Sequence, residues 1–326
     1  MKIIPFIVSL FLASSLFASD SSTGTPEPPI TTPVEGQAVE NFKPQILPDS
    51  VPSYLQDVSV TVHSRSGTGS GVLVSRDGIT YVWTAAHVID ANRTVREIID
   101  PKTGSSKSIV EFSDVDIVKE LIEDGRAVGQ VQMTAEVLRY SNSETGQDLA
   151  LLKIRKKDYT IASTQFYLGK TIPDLGTKLY HVGSLKGQVG SNSMTTGIVS
   201  QIGRLLLPNN GVVFDQSTVS AFPGSSGGGV FLEDGRYMGM LVRGGGETFN
   251  FIVPIRRMRE WADRVGVSFT LDENLPVPTE EELKSRPVED AGSNIALQQK
   301  SSIKSEEKFI IKMIQPDVGA RIIMVN

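Results

Sequence analysis

Thr84-Ala85-Ala86-His87, Asp148-Leu149-Ala150-Leu151-Leu152 and Pro223-Gly224-Ser225-Ser226-Gly227-Gly228 stand in that order along the chain. Acyl transfer by a hydroxyl needs a nucleophile, an imidazole base and a carboxylate that holds the imidazole in one tautomer. Ser226, His87 and Asp148 are candidates for those parts. Their order matters, because unrelated scaffolds string the same geometry along the chain differently.

The serine segment alone is ambiguous. Gly224-Ser225-Ser226-Gly227-Gly228 also fits G-x-S-x-G, a strand-to-helix elbow whose His follows the Ser. The three His of this chain, at 63, 87 and 181, all precede Ser226. A subtilisin order needs an Asp ahead of His87. Asp57 and Asp77 occupy such positions, without a motif around either. His, then Asp, then Ser is the order of the two-barrel, chymotrypsin-like proteases.

From Ser59 to about Ile255 the chain resembles trypsin-like serine proteases of the HtrA/DegP type. Gly67-Thr68-Gly69-Ser70-Gly71-Val72, Val82-Trp83-Thr84-Ala85-Ala86-His87-Val88-Ile89 and Asp148 to Ile154 carry the first half of the resemblance. Thr196-Gly197-Ile198-Val199-Ser200, Pro223 to Gly228 and Asn250-Phe251-Ile252-Val253-Pro254 carry the second. Ser225 departs from the family's usual Asn or Asp, and Gly229 from its more usual Pro. The residues after Ile255 are too few and too polar for the PDZ domain of many relatives, so the resemblance covers the catalytic domain only. It implies an all-β fold of two Greek-key antiparallel β-barrels with the active site between them. A C-terminal helix and disordered N- and C-terminal extensions complete the expected architecture.

Composition sets bounds. The net charge of −5 argues against a nucleic-acid surface. Met1 to Ala18 reads as a secretory signal: Lys2, then an apolar run to Phe17, then a polar Ser/Thr/Pro segment. The run is short for a membrane span, so none is expected once the signal is removed. Cysteine is absent. Export permits disulfides, so a core without them favours a bacterial-type exported enzyme, periplasmic or extracellular.

Residues 19–53 are Pro-rich and read as a mobile linker. Residues 54–158 are assigned to the first barrel. Val58, Val60 and Val62 alternate as in a half-buried strand, and Asp77-Gly78 predicts a hairpin turn before Ile79 to Trp83. Val115, Val118, Leu121 and Ile122 follow helical spacing, with Ser113 or Asp114 as cap and Gly125 as stop. That predicts an inserted helix over 113–125. Val131 to Tyr140 and Leu149 to Ile154 read as strands. Residues 159–266 are assigned to the second barrel, with short strands between turns and a helix from Arg256 to Val265. Residues 267–326 form a polar tail that reads as disordered after Leu271. Phe309 to Ile314 and Ala320 to Val325 suggest a terminal hairpin.

The chemistry follows from residue types. A serine hydroxyl needs a base to take its proton, and neutral His87 can do so near pH 7. Asp148 heads an apolar run, where a carboxylate is costly unless hydrogen-bonded; the Nδ1 proton of His87 is its expected partner. Gly224 has conformational freedom that lets its N–H and that of Ser226 share one oxyanion hole. His63 and His181 read as structural. No spacing suggests a metal site, and no cofactor is expected. By analogy with trypsin-like enzymes, Ser220 lies at the base of the primary pocket, followed by Ala221 and Phe222. The same resemblance implies that Val242, Arg243 and Gly244 belong to the strand that would bind substrate backbone. The expected function is an exported serine endopeptidase acting on protein or peptide substrates. An esterase with the same residues, or a silent protease fold that binds a partner, stays open.

Overall fold

Val60 and Val62 do enter a strand, while Val58 closes the helix before it. In the computed structural model β1 (Ser59–Ser64) follows a short helix, α1 (Val51–Asp57), whose start is capped by the Ser50 hydroxyl. The expected linker therefore ends in helix rather than tether. The structure describes residues 50–290, apart from 100, 103, 124, 206–211 and 245–246. By contacts the chain divides into Met1–Gln45 and Ile46–Asn326, and every described residue lies in the second unit. The signal segment, most of the linker and the terminal hairpin expectation fall outside the described residues.

β1 runs antiparallel to β2 (Gly67–Arg76), which turns at Asp77-Gly78 into β3 (Ile79–Thr84). Both turn residues have left-handed backbone, φ 49° and 73°, as a two-residue type I′ hairpin requires. A separate hairpin, β4 (Arg93–Ile99) with β5 (Ser106–Phe112), forms its own two-stranded sheet. Then β6 (Val115–Glu123), β7 (Arg126–Ser141) and β8 (Leu149–Ile154) close a barrel in the order β1-β2-β3-β8-β7-β6. Its fourth strand, β6, returns beside its first, which is the Greek-key signature.

The second barrel repeats that order. β9 (Lys178–Leu185), β10 (Gly190–Leu205), β11 (Val213–Ser217), β12 (Gly229–Leu232), β13 (Tyr237–Gly244) and β14 (Asn250–Pro254) close as β10-β11-β14-β13-β12-β9. Here β12, the fourth strand, lies beside β9. The helix α2 (Ile255–Val265) buries Met258, Trp261 and Ala262 and ends at Gly266, φ 75°. Trp261 meets Trp83 of the first barrel edge to face, with centroids 5.6 Å apart. One hydrophobic core thus draws on both barrels.

Two expectations need correction. The helix predicted over 113–125 is β6. The spacing of Val115, Val118, Leu121 and Ile122 passed over Ile117, which is fully buried and fits a period of two with Val115. β6 is paired on both sides, by β1 and β7, and such pairing overrides weak helical spacing in a β-branched run. Gly125, φ 73°, belongs to the turn into β7 rather than to a helix stop.

The polar stretch after Leu271 is ordered as far as Asp290. Leu271 and Leu283 are buried, and Val277 and Val288 pack against the core. A third helix, α3 (Glu280–Ser285), starts with a capping box between Thr279 and Glu282. Two arginines hold the segment's carbonyls. Arg76 donates to Phe269, Asp272, Glu273 and Leu275. Arg139, 1 % exposed, donates to Val265 and Leu283. A buried guanidinium needs such acceptors, and each carbonyl so satisfied favours order over solvent.

Candidate active site

Thr84 pairs with Ala150 at the end of the β3–β8 ladder. The chain just after β3 therefore lies against the chain just before β8. Beyond Thr84 the backbone folds into a 3₁₀ turn, Ala86–Val88, that carries His87. Ala85 and Ala86 are fully buried, so only small side chains fit beneath the turn. Asp148 sits immediately before β8.

These neighbours meet in hydrogen bonds. Asp148 Oδ1 accepts from the His87 backbone N–H at 3.0 Å, and both carboxylate oxygens lie 3.0 Å from His87 Nδ1. The carboxylate is 2 % exposed and the imidazole 32 %. Burial pulls the His87 pKa down. The hydrogen bond to Asp148, its charge and that of Asp90 push it up, against Arg243, and the net position is above the ordinary 6.5. Asp148 itself has φ 56°, a left-handed conformation that Asp tolerates better than most residues.

The loop that holds Asp148 is fixed from both ends. Asn142 Oδ1 accepts the N–H groups of Glu144 and Thr145 at 2.8 and 3.0 Å. Arg257 of α2 donates to the Gln147 side chain at 2.8 Å and to the Gln147 carbonyl. The Arg257 guanidinium lies 4.5 Å from the Phe214 ring centroid, and burial lowers its pKa to about 9.

Ser226 lies in the turn between β11 and β12. Gly224 and Gly227 have φ 98° and 87°. A Cβ at Gly224 would come within 2.2 Å of Ser184 O, and one at Gly227 within 2.2 Å of Ser70 O. No other residue fits either place without moving backbone. Gly227 N–H donates to Leu241 O at 2.7 Å, tying the turn to β13. The Pro223 carbonyl accepts from Lys186 N–H at 2.7 Å, and the Ser225 carbonyl from Gly228 N–H at 3.0 Å. In a trans peptide the N–H points opposite the C=O, so the N–H groups of Gly224 and Ser226 are turned away from those anchors.

Ser226 approaches the first barrel through backbone. Its carbonyl accepts from Ser70 N–H at 2.8 Å. A Cβ at Gly227 would also lie 2.9 Å from Ala85 N, two residues before His87. The side-chain hydrogen bonds of His87 among the described residues all go to Asp148; none reaches Ser226.

The other histidines stand apart from this pairing. His63 in β1 meets Thr68 Oγ1 at 3.1 Å. His181 in β9 is fully buried, with Nδ1 2.9 Å from Gly229 O. Burial lowers its pKa to about 4.

The expected pocket residues flank the serine turn. The Ser220 carbonyl accepts from Thr195 Oγ1 at 2.9 Å. Ala221 packs on the smaller apolar cluster, and Phe222 lies 5.5 Å from Lys186 Nζ. Val242 is buried, Gly244 pairs with Asn250, and Arg243 donates to Ser143 O at 3.1 Å. Sequence reading passed over the Asn250 side chain. Its amide is fully buried and donates to Val219 O at 2.6 Å, next to Ser220. An Asn heading an otherwise apolar strand was the available signal.

A sequence profile of the trypsin-like peptidase domain matches residues 69–240, more than half of the chain. A probable periplasmic serine endoprotease, DegP-like, from Hahella chejuensis is 28 % identical over 219 residues, 64 % of this chain and 38 % of that protein. A protein of the same description from a Marinomonas species is 29 % identical over 229 residues, 68 % of this chain and 36 % of that one. The chain spans little more than a third of the length of these relatives. Among solved structures, the serine endoprotease from Yersinia pestis aligns with TM-score 0.47 and 22 % identity, over 67 % of this chain and 66 % of that chain. Deg5 aligns with TM-score 0.48 and 18 % identity, over 68 % of this chain and 94 % of that chain. On the profile match, the chain belongs to the trypsin-like peptidase domain family.

Proposed function

We propose that this chain is an exported serine endopeptidase that works through His87, Asp148 and Ser226. The observation that carries the reading is the pairing of His87 Nδ1 with a buried carboxylate. A ring engaged at Nδ1 leaves Nε2 as the free base. In the proposed mechanism Ser226 Oγ attacks the scissile carbonyl while His87 Nε2 takes its proton. Asp148 stabilises the imidazolium, and the N–H groups of Gly224 and Ser226 receive the developing oxyanion. His87 then returns the proton to the leaving amine. Water attacks the acyl-enzyme with His87 again as base.

Export rests on the signal-like Met1–Ala18 and on the relatives' description as periplasmic. Under this reading residues 54–158 and 159–266 form the catalytic unit, preceded by a linker and followed by a tail. Substrates are proteins or peptides, opened enough to enter a cleft between barrels. A silent protease fold is the second reading, favoured by the lack of a Ser226–His87 hydrogen bond. Such bonds are often long before substrate binds. Mass spectrometry of casein digests, wild type against Ser226→Ala, tests the proposal. Fragments from the wild type only are expected; equal digestion by both would overturn it.

A further inference from the structure

Ser70 lies in β2, is fully buried and spends its N–H and hydroxyl on the second barrel. Its N–H donates to the Ser226 carbonyl at 2.8 Å. Its hydroxyl donates to the Gly224 carbonyl at 2.7 Å and accepts the Ser184 N–H at 2.7 Å. One first-barrel residue therefore holds the carbonyls on both sides of Ser225. The Ser70 carbonyl in turn accepts from Thr84 Oγ1 at 2.7 Å, on the strand that leads to His87.

The placement matters because Gly224 has no side chain to fix its backbone. At φ 98° it is in a region that glycine enters and leaves freely. Its orientation is set by bonds on either side. Lys186 N–H holds the Pro223 carbonyl on one side, and the Ser70 hydroxyl holds the Gly224 carbonyl on the other. With the Ser70 hydroxyl removed, the Gly224–Ser225 peptide plane keeps, among the described residues, only the bond from Ser225 N–H to Phe222 O, at 2.9 Å, and a partly buried carbonyl loses its donor. The Gly224 N–H, in the neighbouring plane that Lys186 holds, then has one fewer restraint across the Gly224 Cα.

We propose that Ser70 is a positioning residue for the oxyanion hole, joining its geometry to the packing of one barrel on the other. The inference rests on the proposed roles of Ser226 and Gly224. Ser70 touches no reacting atom. Its loss is expected to act on the transition state, where the oxyanion forms, and not on ground-state binding.

The test uses the full chain and a fluorogenic peptide with Val before the scissile bond. Ser70→Ala is compared with Thr61→Val, which removes a buried hydroxyl on the same barrel seam. Thr61 bonds to Ser184 Oγ and not to the 224–226 turn. For Ser70→Ala, kcat is expected to fall about 100-fold, the scale of one lost oxyanion donor. KM should change by less than about threefold, and the pH inflection of His87 should not move. Affinity for a peptide aldehyde, whose bound oxygen mimics the oxyanion, should fall in step with kcat/KM. Thr61→Val should stay within about threefold of wild type.

Equal losses in the two variants, or a loss carried by KM, would overturn the positioning role. If Ser70→Ala does not fold, Ser70→Cys, which keeps the volume with a weaker donor, takes its place; failure of both to fold would mark Ser70 as a core residue and overturn the proposal. An active wild type with an unaffected Ser70→Ala refutes Ser70 alone. A wild type that neither cleaves nor labels at Ser226 refutes the proposed function instead.

Discussion

Replacing Asp148 by Asn changes one atom of the carboxylate and should reverse the chemistry of His87. Asp148 accepts from the His87 backbone N–H and from Nδ1. An Asn can keep the backbone contact with its oxygen. Its NH₂ then replaces one of the two oxygens 3.0 Å from Nδ1 and sets donor against donor there, which favours the tautomer with the proton on Nε2. In that tautomer Nε2 is no longer a base. The variant also removes the nearest negative charge from a partly buried imidazolium. Both losses fall on the transition state. The expected fall in kcat is about four orders of magnitude, or about 5.5 kcal/mol.

The pH profile supplies a second reading of the same variant. Only neutral His87 can act as base, so activity should rise with pH through its pKa, which lies above 6.5 in the wild type. With the Asp148 contributions gone, burial dominates, and the inflection should move to lower pH. The assay is kcat on a fluorogenic peptide from pH 5 to 9, normalised to folded protein. A loss below tenfold, or an unmoved inflection, would refute the assignment of Asp148.

Three further outcomes follow from the geometry. Gly227→Ala places a Cβ 2.2 Å from Ser70 O at φ 87° and should cost roughly 3 kcal/mol or more in urea unfolding; a loss below about 1 kcal/mol would show that the turn yields. His181, lowered to about 4 in the fold, binds its proton more readily when unfolded. Its contribution is fully present above about pH 6.5 and declines as pH falls towards 4, by roughly 3 kcal/mol in all. His181→Gln should flatten the pH dependence of unfolding in that window, and an unchanged slope would contradict the burial argument. Cleavage should follow Val, Ala or Leu, because Ser220 offers no charge to pair with a buried Lys or Arg; fragment ends showing mostly Lys or Arg would contradict it.

Much of the fold could be read where local signals agree. Asp77-Gly78 gave a hairpin whose backbone demands those residues, and Leu149–Ile154 is a strand because its run is apolar and ends at Arg155. β6 was misread because a short apolar run satisfies two periods at once, and only pairing with β1 and β7 decides between them. β4 and β5 went unseen because most of their described residues are exposed, apolar ones included, so little burial patterns them. The ordering of 272–290 depends on Arg76, nearly 200 residues away in sequence. Around the candidate site, His87, Asp148 and Ser226 stood out within motifs. Ser70 lies in a segment that carries the resemblance, yet neither it nor Arg257 shows a role in the sequence, because their partners are carbonyls of distant segments, and a carbonyl has no letter in the sequence.

The central claim is that Ser226 is activated by His87. Its most direct test is the reaction of the full chain with a fluorophosphonate, mapped by peptide mass spectrometry, beside His87→Ala. Rapid modification confined to Ser226 and lost in His87→Ala is the expected result. No adduct at Ser226, or equal modification in the variant, would contradict the account.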